Sequence, residues 1–293
     1  MFEQSLLTAV VTPFTENAER LDLDSLGRLL KLQDDHNNGI IVMGSTGENL
    51  SLTDDERLQL LEFICALNLS SPIICGVSSY NTKVSTEWIE YCNHFPISGY
   101  LIATPIYTKP GVCGQTKWFE KLLNKAAYPC MLYNIPGRAG VSLHTATVNN
   151  LAAHEKFVAI KDSSGDPNTI LDYKSVAPNI SVYCGDDNMI QQAAETGACG
   201  LVSVASNIWP DIAKWYVQCC LQKMEMDHSV WLQASNALFD STNPIPVKSL
   251  LKLLKLITHD DVRMPLSNSD LVTTDNLMNA HKMLMDWYNA YVS

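Results

Sequence analysis

Eight short runs of apolar residues, rich in Val, Ile and Leu, recur along the chain at residues 6–11, 39–43, 72–77, 99–103, 129–133, 157–160, 180–184 and 200–204. They are apolar at consecutive rather than alternate positions, the pattern of strands covered on both faces. Between them lie segments of helical periodicity, among them 23–33, 54–67, 116–124 and 188–195, several opened by Asp, Asn, Ser or Thr as caps. Strand and helix alternate throughout. This predicts an α/β fold of the closed parallel (β/α)8 TIM-barrel kind; an open doubly wound sheet, whose edge strands would read as more polar, is the alternative. Beyond about Trp209 the strand signal stops, and 211–223, 230–239, 246–256 and 274–291 read as helices. The first completes the barrel, giving a barrel over residues 1–224 and a C-terminal helical region over residues 225–293 that packs against it.

Composition narrows the class. With 293 residues and 46% apolar side chains there is ample material for a packed core. No apolar run approaches the roughly eighteen residues of a membrane span, so no membrane association is expected. Residues 1–5 show no basic region leading into an apolar stretch, and a cytoplasmic location is the expectation. The formal charge of -11 is spread without an acidic tail or a Lys/Arg stripe, which argues against nucleic acid as a partner. Nine cysteines are scattered, and the adjacent pair Cys219-Cys220 in a predicted helix cannot clamp a metal. The seven histidines show no ligand spacing. No metal is expected, and the thiols read as reduced and buried.

In such barrels chemistry sits where strands meet the loops that follow them. The predicted strand ends deliver Thr12, Ser45-Thr46, Ser78, Thr104, Asn134, Lys161 and Asp186, and the loops beyond add Tyr107 and Arg138. Phe157-Val158-Ala159-Ile160 runs directly into Lys161. Burial disfavours the charged form of a lysine, and a neutral amine attacks a carbonyl carbon to form a Schiff base; a strand-terminal lysine can equally snorkel into solvent. Gly44-Ser45-Thr46-Gly47-Glu48-Asn49 lets successive N–H groups and two hydroxyls converge on a carboxylate, although such turns also arise for steric reasons alone. Tyr133 can present its phenol to the amine of the next strand, or be a core tyrosine bonded to a backbone carbonyl. Arg138, one of five arginines, suits bidentate recognition of a carboxylate or an exposed loop.

Together these residues resemble the dihydrodipicolinate synthase family, within the pyruvate-dependent class I aldolases and lyases. The resemblance spans nearly the whole chain through Thr12-Pro13-Phe14, the GSTGE turn, Thr104-Pro105-Ile106-Tyr107, the YNIPGR stretch, Ile160-Lys161-Asp162, Cys184-Gly185-Asp186-Asp187 and Asn243-Pro244-Ile245-Pro246-Val247-Lys248. It implies a (β/α)8 barrel with C-terminal helices, assembled as a homotetramer of tight dimers. It further implies that Lys161 takes pyruvate as an imine, that Tyr133 shuttles protons, and that Ser45 and a neighbouring subunit's Tyr107 complete a hydroxyl relay. Thr46 and the turn's amides would hold the pyruvate carboxylate, with main-chain help from Gly185 and Val202. Arg138 would bind the carboxylate of aspartate semialdehyde, the second substrate in the diaminopimelate route to lysine. No external cofactor is implied.

Two alternatives stand beside that one. Sialate lyases and 2-keto-3-deoxy sugar-acid aldolases keep the lysine and tyrosine but generally lack arginine at this loop position, while Lys161-Asp162-Ser163-Ser164-Gly165 also resembles a phrase of some sugar-acid aldolases. From another class, a non-catalytic barrel could bind a keto acid as a sensor. The resemblance also locates a lysine-binding cleft in feedback-inhibited members. At the matching positions this chain has Ile106, Tyr80, Val84, Asp54 and Arg57, which implies weak regulation by lysine.

Overall fold

The structure, a computed structural model, describes residues 3–292. Its eight strands are β1 Leu6–Ala9, β2 Gly39–Val42, β3 Ile73–Val77, β4 Gly99–Ala103, β5 Cys130–Asn134, β6 Phe157–Asp162, β7 Ser181–Cys184 and β8 Gly200–Ser203. They pair in parallel in chain order, and β8 returns to β1. The sheet is therefore closed and has no edge, which excludes the open doubly wound alternative. The helices are α1 Leu23–Asp35, α2 Asp54–Ala66, α3 Thr82–Cys92, α4 Val112–Leu123, α5 Pro136–Ala139, α6 Thr145–Leu151, α7 Asn168–Val176, α8 Ile190–Glu195, α9 Pro210–Leu221, α10 Ser229–Ala237, α11 Ile245–Leu253 and α12 Asp275–Val292.

Local chemistry explains several starts. At α2 the Thr53 hydroxyl accepts from the Glu56 N–H at 3.2 Å, while the Glu56 carboxylate accepts from the Thr53 N–H at 2.9 Å, a reciprocal capping box. Asp22 and Asn81 cap α1 and α3 with their side chains. Side chains of successive strand residues alternate between two layers. Leu7, Ile41, Ile74, Leu101, Met131, Tyr133, Ala159 and Val202 fill the barrel interior, whereas Leu6, Ile40, Ile102, Leu132 and Ile160 face the surrounding helices.

One irregularity has chemical weight. Between β5 and β6 the register shifts: Cys130 pairs with Phe157 but Met131 pairs with Ala159, so Val158 is an extra residue. Without it Tyr133 would lie beside Ile160; with it, Tyr133 lies beside Lys161. A one-residue slip exchanges the faces of a strand, and here it decides which residue of β6 accompanies the tyrosine inside the barrel.

The C-terminal helices close against the barrel rather than standing apart. Trp215 of α9 meets Trp287 and Tyr288 of α12 edge-on at 5.4 and 5.3 Å between centroids. The Trp231 indole of α10 donates to the Asp187 carbonyl at 2.7 Å.

Candidate active site

Lys161 is the penultimate residue of β6 and only 5% exposed, so the strand continues past the apolar run and carries the amine inside the barrel wall. Its Nζ lies 4.3 Å from the centroid of the Tyr133 ring. An aromatic face attracts an ammonium without accepting its proton. The Tyr133 ring also lines a cavity of about 370 Å³, together with Ser45, Ser78, Ala103, Ile106, Arg138 and Leu266 of the C-terminal region.

Three acidic residues come from the ends of β6 and β7, and the Lys161 charge acts on two of them, Asp186 and Asp187. Asp162 points out of the barrel and accepts from Asn134 Nδ2 at 2.6 Å and from the Ser164 hydroxyl at 2.7 Å; burial still pushes its pKa up. Asp187 is fully buried, its carboxylate accepting from the Ser203 hydroxyl and from the N–H groups of Val204 and Ala205; burial pushes it up against those bonds and the Lys161 charge. Burial likewise pushes Asp186 up to about 6, opposed by the Lys161 ammonium and the Ser163 hydroxyl and reinforced by its two acidic neighbours. A carboxyl poised near neutrality beside an amine is an arrangement enzymes use for proton transfer.

Gly185 fits closely under the lysine. A Cβ there would fall 2.0 Å from Ser163 Oγ and 2.7 Å from Lys161 Cε, so only glycine leaves the lysine its place. Its N–H donates to the Asp162 carbonyl at 2.7 Å. With its N–H so engaged, the main-chain group that Gly185 offers a ligand is its carbonyl. Val202 is buried on β8 in the interior layer, beside Leu7 of β1.

The residues expected of the site are not all together. Ser45, Tyr133 and Arg138 share the cavity, with Lys161 beneath the tyrosine. Thr46 is buried behind its rim, its hydroxyl accepting from Asn243 Nδ2 at 2.9 Å. Arg138 donates to the Asn243 carbonyl at 2.9 Å, which steadies the guanidinium over the mouth. Tyr107 stands apart: it is 86% exposed, in left-handed backbone at φ 67.

Sequence reasoning missed a second buried amine. Lys248 of α11 is 0% exposed, more deeply set than Lys161, and donates to Glu48 Oε1 at 2.6 Å and to the Asp261 carbonyl at 2.8 Å. Burial pulls its pKa down and the Glu48 carboxylate works against that. Lys161 is therefore not the only deeply buried amine of the chain. The signal was present in the Pro246-Val247-Lys248 stretch, where a lysine interrupts a buried helix face.

Among the described residues no group of three or more His, Cys, Asp or Glu could hold a metal ion, and no helix is long and apolar enough to cross a membrane. All nine cysteines are free; Cys113 and Cys199 are exposed and Cys65 partly so, against the expectation of uniform burial.

Comparison with known proteins agrees with this geometry. The profile of the Dihydrodipicolinate synthetase family matches residues 2–284. The chain is 54% identical over 282 residues to a 4-hydroxy-tetrahydrodipicolinate synthase of Wolbachia pipientis wMel, covering 96% of each chain. It is 46% identical over 283 residues to the protein of that name from Chlamydia pneumoniae, again covering 96% of each. A crystal structure of a chloride-inhibited dihydrodipicolinate synthase from Acinetobacter baumannii complexed with pyruvate superposes with a TM-score of 0.89 at 30% identity, covering 96% of this chain and 98% of the other.

Proposed function

The chain belongs to the dihydrodipicolinate synthetase family, and from that premise we propose that it condenses pyruvate with aspartate semialdehyde, as a Schiff-base-forming lyase of the 4-hydroxy-tetrahydrodipicolinate synthase type. The observation that carries this is the Lys161 amine held inside a closed barrel, 4.3 Å from the Tyr133 ring, which lines a cavity together with Ser45 and Arg138.

Chemically, the Lys161 amine attacks the keto carbon of pyruvate, and the carbinolamine loses water to leave a protonated imine. Tyr133 and Ser45, both lining the cavity, are placed to carry the protons. The iminium draws electrons from the adjacent methyl group, which gives up a proton and becomes the nucleophilic carbon of an enamine. That carbon attacks the aldehyde, whose carboxylate Arg138 receives with its fork. The amine of the former aldehyde then adds to the imine carbon and displaces Lys161, closing the ring and freeing the enzyme. Thr46 and the N–H groups of its turn hold the pyruvate carboxylate.

Tyr107 enters this scheme in an assembly. Its exposure in one chain suits a residue given to the site of a second copy, and a homotetramer built from dimers is the assembly we propose, in the cytoplasm. Residues 225–293 form a helical region of the same unit as the barrel of residues 1–224.

The test is borohydride reduction in the presence of pyruvate, followed by peptide mass mapping, alongside product assays with aspartate semialdehyde and N-acetylmannosamine. A pyruvyl adduct on Lys161 and turnover of aspartate semialdehyde are expected. An adduct on another lysine, or preference for the sugar, would refute the assignment.

A further inference from the structure

The turn bearing Ser45 and Thr46 is bracketed by two non-glycine residues in left-handed backbone, Met43 at φ 56 and Glu48 at φ 53. Such residues persist only where their surroundings over-determine them. At Met43 the backbone packs against Gly76, where a Cβ would fall 2.0 Å from the Met43 carbonyl oxygen. At Glu48 the determinant comes from the far end of the chain. Its carboxylate is buried and accepts on both oxygens, from Lys248 Nζ at 2.6 Å and from the Arg263 N–H at 2.8 Å. Arg263 is itself fixed, its guanidinium paired with Glu56 of α2 and lying 4.4 Å from the Phe14 ring centroid, beside Lys248 at 4.2 Å from the same ring. From the barrel side, the Thr12 hydroxyl donates to the Gly47 carbonyl at 2.7 Å.

We propose that Lys248, acting through Glu48, is a positioning residue for pyruvate: it sets the conformation of the Ser45-Thr46-Gly47 turn that receives the substrate carboxylate, although it touches no substrate. This rests on the reading of Lys161 and that turn given above. A buried carboxylate that loses its counter-charge must take up a proton or leave its site. Either change frees Glu48 from left-handed backbone and turns the amides of residues 45–47 away from a common target. The turn's aim depends on that ion pair, whereas Arg138 rests on the Asn243 carbonyl and is coupled to the turn only through the Asn243 side chain on Thr46. The aldehyde is therefore expected to respond less than pyruvate.

The experiment compares wild type, Lys248→Met and the double variant Lys248→Met/Glu48→Gln, which removes both charges while keeping both volumes. Each is measured for thermal midpoint, steady-state KM for each substrate, and rate of borohydride-trapped adduct. Positioning requires that Lys248→Met raise KM for pyruvate at least about tenfold and slow adduct formation, with KM for aspartate semialdehyde within about twofold of wild type. The double variant is expected to recover the thermal midpoint but not KM for pyruvate. Should the double variant regain both, the pair is a structural brace and the proposal is overturned; a wild-type KM for pyruvate in Lys248→Met overturns it equally. If Lys248→Met does not fold, the double variant decides alone, by whether its KM for pyruvate is raised. Absence of any adduct on Lys161 in the wild type would overturn the premise as well, and that outcome is read before any variant is made.

Discussion

Replacing Gly185 by alanine is a direct trial of the geometry under Lys161. The added Cβ would lie 2.0 Å from Ser163 Oγ, 2.7 Å from Lys161 Cε and 3.1 Å from the Asp162 carbonyl oxygen. Non-bonded carbons rest at about 3.5–4.0 Å, so the lysine must move by roughly 1 Å. The serine can rotate away; the lysine is held between the Tyr133 ring and the interior layer of the barrel. Gly185 is not in positive-φ backbone, so alanine meets a steric problem and no conformational one. Overpacking of this kind costs about 1–3 kcal/mol of stability, which a domain of this size tolerates. A displacement of about 1 Å in a reacting group costs on the order of 100-fold in rate. The expected result is a folded protein whose kcat/KM for pyruvate falls by about that factor, with a matching loss of borohydride-trapped adduct. Adding Ser163→Ala relieves the contact with the hydroxyl and leaves the one with Lys161 Cε, so only partial recovery is expected. Turnover within about threefold of wild type in Gly185→Ala, or full recovery in the double variant, would show that the lysine is not confined as described.

The barrel was legible because parallel strands buried on both faces leave uninterrupted apolar runs, and all eight were visible on that ground. Their ends were less so. β6 extends through Lys161 and Asp162, since the ladder is made by backbone groups and does not stop where side chains become polar. Helix α4 begins at Val112, four residues before the expected start, because Gly114 dilutes the periodicity of its first turn. The extra residue at Val158 left no trace, being neither glycine nor polar, yet it sets Tyr133 beside Lys161.

The two buried lysines show what a single sequence withholds. Both interrupt apolar surroundings, and burial alone does not tell them apart. Lys248 has a carboxylate at 2.6 Å supplied by a residue 200 positions away, which works against the lowering of its pKa by burial. Lys161 faces the Tyr133 ring at 4.3 Å, a ring that also lines the cavity, and its charge is felt by the Asp186 carboxyl. The long-range partner of Lys248 is what the sequence withheld, since pairing over that distance has no local signature. The same limit applies to Tyr107, whose proposed partners lie on another copy of the chain.

Three further outcomes follow from the site. Arg138→Ala removes a charge-assisted contact of about 1.5–3 kcal/mol, so kcat/KM for aspartate semialdehyde should fall roughly 10- to 150-fold while adduct formation with pyruvate is nearly unchanged; equal loss in both steps would count against the assignment. Lysine should inhibit weakly, because at positions the family resemblance assigns to a lysine cleft Arg57, paired with Asp54 and 5.2 Å from the Trp88 ring centroid, adds a cation and Val84 offers an ammonium no acceptor; strong inhibition at sub-millimolar lysine with saturable binding would refute this. Asp186→Asn should change the pH dependence of stability, since burial holds the native carboxyl up to about 6 while the unfolded chain titrates it at the ordinary value of 3.8. Between those values the native state keeps a proton that the unfolded state has released, so the carboxyl's contribution to stability falls as pH rises through that window and is flat above it. Asparagine does not titrate, and the variant's advantage over wild type should grow from little near pH 4 to at most about 3 kcal/mol above pH 7. Asp162 and Asp187 are pushed in the same direction and give both proteins a slope of the same sign, eased in the variant by loss of the Asp186 charge, so the quantity to measure is the difference between the thermal midpoints across pH. A difference that stays constant from pH 4 to pH 7.5 would mean that the Asp186 carboxyl titrates in the native state as it does in the unfolded chain.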